Sequence, residues 1–492
     1  MKKLLKQALL LIGGCAFSIA VASLVACNEK IATDNSTGNK PTQSSSNGSS
    51  STDSSTENLK TESLGLEYIL NEDNNSYSVV SIGTCQDTDI VIPSKYEDKP
   101  VTVIWANAFN GYTSLKSITI PESVTSIGGD AFYDTAYYNN EENWENDVLY
   151  IGTHLIRAKT SINGTYTIKD GTKCIASSAF YECKNLTSIT MPESVTTVGS
   201  EVFYECDNLT SITMPESVTT MGSMVFWKCK KLTNVVLSSN LTSIESWTFY
   251  QCNTLLNIII PDSVTLIGSS AFEYCKKLET VQIGNGVVII GSKAFAECNS
   301  LTSIEIPNSV ETIGDEVFWN CYNLERINIG SGVTSISREA FYNCIALKSV
   351  YIIDIAAWCN ITFSQTSANP LGKAENFYLN NELITQLVIP ETVTMINAYA
   401  FLYCQTITSV IIPSSVKFID HGAFYCPNVT SVYYEGTTED WEKMKVGIMN
   451  QPLMNATRYY YSDTEPTLND DGTAYEDNYW HYIDGIPSIW KL

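Results

Sequence analysis

Histidine is almost missing. The 492 residues contain three, His154, His421 and His481, and none belongs to an HExxH or related pattern. Metal centres and acid–base pairs built on imidazole are therefore poorly served. Positive charge is also scarce, with 29 basic against 53 acidic residues and a net charge of −24. Such a surface repels nucleic-acid phosphates and anionic headgroups, which argues against nucleic-acid binding. No GxSxG elbow and no Walker loop is present. Gly284-Asn285-Gly286 and Gly330-Ser331-Gly332 look like fragments of a phosphate loop, but each stands where sister segments carry Pro-Glu-Ser. Asn469-Asp470-Asp471-Gly472 faintly resembles a calcium loop, yet Thr467 and Asn478 occupy the first and last ligand positions. Glu122, Glu193, Glu216 and Asp262 form a repeated row in turns, not a catalytic pair. The expectation is no enzyme, no metal and no cofactor.

What is abundant is repetition. Phe180, Phe203, Phe226, Phe249, Phe272, Phe295, Phe318 and Phe341 follow one another at a fixed 23-residue interval. Phe109/Phe132 and Phe401/Phe424 keep the same interval. A period of this size marks one small unit stacked many times. Within a unit, LTSITMP (209–215) alternates apolar and polar residues and reads as a short strand closed by Pro215. Ile212 and Met214 should face inward, Ser211 and Thr213 outward. Val218 and Met221 mark a second extended piece, and Val225 to Cys229 reads as a tight turn or a single helical turn. Neighbouring strands should pair in parallel.

Stretches such as LKSITIPESVTSIGGDAF (115–132), LTSIEIPNSVETIGDEVF (301–318) and ITSVIIPSSVKFIDHGAF (407–424) carry a specific resemblance. They resemble the leucine-rich repeats, and more narrowly the BspA-like family of bacterial surface proteins. The resemblance implies a repeat solenoid: a right-handed leucine-rich-repeat coil with a parallel β-sheet, mostly strand and loop with short helical turns. It also implies adhesion or binding outside the cell, with matrix proteins among the partners, and not catalysis.

The expected organisation follows. Lys2, Lys3 and Lys6 precede an apolar run that ends in Leu24-Val25-Ala26-Cys27. This is the layout of a signal peptide over 1–26 with a bacterial lipobox, which would leave Cys27 as the lipidated first residue. The competing reading is an uncleaved membrane-spanning anchor. Residues 27–62 are rich in Ser, Thr, Asn and Gly and read as a tether. The solenoid should occupy 63–436, with an N-terminal cap over about 63–104 and inserts at 133–164 and 345–381. Residues 437–492 drop the beat and gain aromatics, reading as a C-terminal cap or a small terminal module.

Of 15 cysteines, nine fall three residues after the repeat phenylalanine: Cys183, Cys206, Cys229, Cys252, Cys275, Cys298, Cys321, Cys344 and Cys404. Zinc ligation fits the spacing badly. Export permits disulfides, but identical side-chain directions on adjacent coils suit the bond poorly. A ladder of buried thiols behaving as small apolar residues fits best. Thr135 fills the position in an early unit.

Two surface stripes are candidates for function. The first is the outward strand face: Ser188, Thr190, Ser211, Thr213, Asn234, Asn257, Thr280, Gln282, Ser303, Glu305, Arg326, Asn328 and Tyr351. Its hydroxyls and amides suit a protein backbone or a glycan, against the plain reading of a solvated face. The second follows the core phenylalanine: Tyr133, Tyr181, Tyr204, Trp227, Tyr250, Trp319, Tyr342 and Tyr425, interrupted by Glu273 and Ala296. Exposed aromatics recur at recognition sites, but these rings equally suit bracing of adjacent coils. The sequence therefore points to a lipid-anchored cell-surface protein that binds an extracellular protein or glycan. A self-associating envelope component is the alternative, and an enzyme acting on polysaccharide or peptide a distant third.

Overall fold

The computed structural model describes residues 62–469, 473–475 and 477–491. The expected signal peptide, Cys27 and all but the last residue of the tether lie outside them, as do residues 470–472 of the calcium-like stretch. Each coil contributes three ladders to its neighbours. The first is the outward-facing strand. Ser211–Thr213 pairs in parallel with Asn234–Val236, placing Ser211 opposite Asn234 and Thr213 opposite Val236. Ile212 and Met214 are buried while Thr213 is exposed, as the alternation demands. The second is a two-residue strand, Thr220–Met221, paired with Thr197–Val198.

The third ladder runs through the phenylalanine corner, which is a tight turn and not a helix. Phe180 N–H donates to Val202 O at 2.9 Å, and Phe203 N–H to Val225 O at 2.8 Å. Flanking residues join in, with Glu182 N–H bonding Tyr204 O and Glu205 N–H bonding Trp227 O, both at 2.8 Å. Aiming these N–H groups at the next coil requires left-handed backbone, with φ of 55° at Glu182, 52° at Glu205 and 55° at Lys228. Non-glycine residues adopt that region at a cost of about 1 kcal/mol or more each. The inter-coil bonds offset it. Replacing Glu339 (φ 56°) by glycine should therefore stabilise the chain, by about 0.5–1 kcal/mol after the unfolded-state entropy is counted. A denaturant midpoint that falls would show the turn is not strained.

The repeat phenylalanines are fully buried from Phe180 to Phe341. Their rings stack in one file, with successive centroids 5.0–5.8 Å apart. The glycine pairs answer to the same packing. A Cβ on Gly286 or Gly332 would collide with the carbonyl oxygen of Asp262 or Asn308 in the coil before. These glycines let backbone meet backbone, and nothing about them forms an anion cradle.

The cysteine ladder is more than apolar filling. All thirteen described cysteines are buried and free. The thiols of Cys206, Cys229, Cys252, Cys275, Cys298, Cys321 and Cys344 donate to the carbonyl of the phenylalanine in the preceding coil, at 3.1–3.3 Å. Cys426, which sits two residues after its phenylalanine, makes the same bond to Phe401 O at 2.9 Å. Each such carbonyl already accepts the backbone N–H of the cysteine in its own coil, as Phe203 O does from Cys206 N–H at 3.1 Å, so the thiol of the next coil fills its second lone pair. Thr135 departs from this pattern. It is fully buried, donates to Phe132 O within its own coil and accepts from Tyr138 N–H, so it caps the helical turn Ala136–Asn139.

The interruptions are built structure. Residues 133–164 fold into that helical turn and the antiparallel strands Trp144–Glu145, Val148–Ile151 and His154–Ala158. Buried His154 places its ring nitrogens 3.2 Å from Ile151 O and 3.0 Å from Val124 O, clasping the insert to the coil before it. The 345–381 stretch is an enlarged coil that keeps the sheet going: Asn376–Leu379 pairs in parallel with Ser349–Ile352, then turns back through Glu382–Leu383. The tail loses the sequence beat yet adds Thr457–Tyr461 and Tyr479–Ile483 in parallel before Ile486–Ile489 closes the sheet antiparallel. Pro487 lies in that last strand, where a missing N–H hinders addition of a further strand.

Candidate functional site

Every residue of the predicted outward face is exposed or half-buried. The parallel pairing lines them up in columns. One column holds Ser188, Ser211 and Asn234 in register; further along it run Asn257 and Thr280, then Ser303 and Arg326. The adjacent column, two residues on, includes Thr213 and Val236, then Ile259 and Gln282. It continues as Glu305, Asn328, Tyr351 and Tyr378 across four successive strands. Sequence reading missed Val236 and Ile259 here, which are 46% and 63% exposed on an otherwise polar face. The signal was available, because both occupy the place of Thr213 in their own coils. It also missed Tyr378, which the enlarged coil carries into register from outside the 23-residue beat.

The face is most ordered where Arg326 lies. Its guanidinium sits 3.9 Å over the Tyr351 ring, and Tyr351 stacks on Tyr378 at 4.4 Å with planes 6° apart. Arg326 Nε–H also donates to Asn328 Oδ1 at 3.0 Å. Three long side chains are thus held before any partner arrives, which lowers the entropy cost of using them.

The aromatic stripe behaves differently. Tyr181, Tyr204, Trp227 and Tyr250 stack face to face at 4.7, 5.7 and 4.1 Å. Each ring face is covered by the next ring, leaving edges outward and the coils braced along a ridge. The file ends at Tyr250, which meets Tyr274 edge-on, and the Glu273 carboxyl beside it is pushed up by burial. Trp319 is half-buried and Tyr342 exposed, and neither joins the file. The face and the ridge lie on different parts of the coil, so the structure does not merge the two stripes into one site.

Among the described residues no group of His, Cys, Asp and Glu side chains could hold a metal ion. No helix among them is long and apolar enough to cross a membrane.

The chain is similar to several solved structures. A leucine-rich repeat protein from Bacteroides ovatus is 23% identical over 80% of this chain and 98% of its own, with a TM-score of 0.39. A leucine rich cell surface protein from Faecalibacterium prausnitzii is 28% identical over 78% and 96%, with a TM-score of 0.30. The pneumococcal vaccine antigen PcpA is 18% identical over 75% and 79%, with a TM-score of 0.32. No curated protein matches significantly. The family model described as the BspA type leucine rich repeat region matches residues 83–164, 158–279, 247–369 and 373–444, most of the chain. The chain therefore belongs to the BspA-type leucine-rich-repeat family.

Proposed function

We propose that the protein is a non-catalytic cell-surface lipoprotein that binds an extracellular macromolecule through the outward face of its sheet. The observation that carries this reading is the prearranged Arg326–Tyr351–Tyr378 stack on a face that is otherwise an open row of amides and hydroxyls. Arginine and tyrosine are the residue types that dominate binding energy at protein surfaces. Family membership supports a binding scaffold, and the lipobox at Cys27 would hold it at the bacterial surface. Assembly through sheet edges is disfavoured by Pro487 in the final strand.

The test is solid-phase binding of the purified full chain to immobilised extracellular-matrix proteins and to a glycan array. Saturable binding to at least one, weakened about tenfold or more by Arg326→Glu, is expected. Failure to bind any member of a broad panel would remove the reading.

A further inference from the structure

The outward face hollows to about 300 Å³ over the regular coils at Ser188, Thr190, Ser211 and Thr213, and again to a cleft of about 220 Å³ where the enlarged coil adds a wall. The floor is the in-register row Glu305, Asn328 and Tyr351, with Asn308 at the coil corner beside it. The wall is the hairpin turn Asn380-Asn381, made by the enlarged coil with φ of 51° and 67°. Thus the sequence interruption after Phe341 and the polar face, separate features in the sequence, build one site.

The orientation of two amides is fixed by groups that can only donate. Ser331 N–H points at Asn308 at 3.0 Å, and Arg326 Nε–H points at Asn328 at 3.0 Å. Each must face an amide oxygen, so both asparagines turn their NH₂ groups the other way. Neither NH₂ group has a partner among the described residues. Glu305 is exposed and makes no ion pair among the described residues. The floor therefore offers two placed donors beside a free carboxylate acceptor, with the Tyr351 hydroxyl and ring edge at the side.

We propose that this cleft binds one residue of a neutral glycan. A pair of neighbouring sugar hydroxyls is the complement: each hydroxyl accepts from an asparagine N–H while its own proton goes to the Glu305 carboxylate. The carboxylate rejects sulfated or uronic sugars by repulsion, reinforced by the acidic chain as a whole. The cleft admits a single pyranose, so affinity for an oligomer comes from repeated presentation along the polymer. This assignment rests on the sheet face being the binding surface and adds the class of ligand.

The experiment is calorimetric titration of the full chain with maltohexaose, mannohexaose and cellohexaose, and with a heparin hexasaccharide as the anionic comparison. Asn308→Asp and Asn328→Asp keep the bonds from Ser331 and Arg326 but delete the outward donors, so the fold is retained. At least one neutral hexasaccharide should bind, heparin should not, and each substitution should weaken binding tenfold or more. Binding that ignores both substitutions, preference for heparin, or no binding of any neutral hexasaccharide overturns the assignment. If matrix proteins still bind the chain and Arg326→Glu still abolishes that binding, the sheet face stands as a protein-binding surface and only the glycan class falls.

Discussion

Raising the pH from 8 to about 10 should unfold the solenoid. Burial pushes the thiol pKa of every cysteine from Cys174 to Cys426 upward, to about 12 at Cys174, Cys183 and Cys344 and well above the ordinary value along the middle of the ladder. The sign follows from the raised folded value. Below about pH 8.5 both folded and unfolded chains keep their thiol protons, and the stability is fully present. Above it the unfolded chain releases protons that the folded chain cannot, so stability falls until the folded pKa is passed. Each thiol costs about 1.4 kcal/mol per pH unit in that window. With about a dozen such buried thiols, the loss by pH 10 is on the order of 25 kcal/mol, larger than the stability of an ordinary domain. Circular dichroism across pH 8–11 would show a steep transition. A Cys229→Ala, Cys252→Ala, Cys275→Ala variant should unfold less steeply with pH, by about three thiols' share. Native structure surviving unchanged to pH 11 would mean the file is not buried as a set of thiols.

Phe249→Ala should cost about 3–5 kcal/mol and act locally. Phe249 is fully buried and lies 5.1 Å from the Phe226 ring and 5.0 Å from Phe272, so its loss opens a gap in the middle of the file. Its own backbone carbonyl accepts the Cys275 thiol. In a solenoid each unit meets only its neighbours. Hydrogen exchange should therefore lose protection over roughly the adjacent coils while those near Phe401 keep theirs. Tyr250→Ala, which removes a half-buried ridge ring stacked on Trp227 at 4.1 Å, should cost less, about 1 kcal/mol. Equal costs for the two substitutions would contradict the division into core file and outer brace.

Much of this was legible in the residues. A fixed interval between phenylalanines forces a stack, and strict alternation in Ser211-Ile212-Thr213-Met214 assigns the two faces without further information. The cysteines were readable as buried, but their bonds to phenylalanine carbonyls were not, because spacing reports position and not the direction of an S–H. The left-handed corners were also hidden. Glu182, Glu205 and Lys228 carry no local preference for that backbone, and only the neighbouring coil explains it. The cleft was illegible for a related reason. Its wall belongs to a coil that breaks the interval, and Tyr378 joins the Glu305–Asn328–Tyr351 row only through strand register. Periodicity reveals what repeats, and the part of the face that acquires a wall from outside the repeat is where it stops.

The binding face and the bracing ridge are separate surfaces, and one comparison tests that separation. Dissociation constants for a ligand found in the binding panel should be measured for the parent chain, for Arg326→Glu with Tyr351→Ala, and for Trp227→Ala with Trp319→Ala. The face variant should bind at least tenfold more weakly while the ridge variant stays within about twofold of the parent. Loss of binding in the ridge variant, with the face variant unaffected, would place recognition on the aromatic stripe and contradict the account.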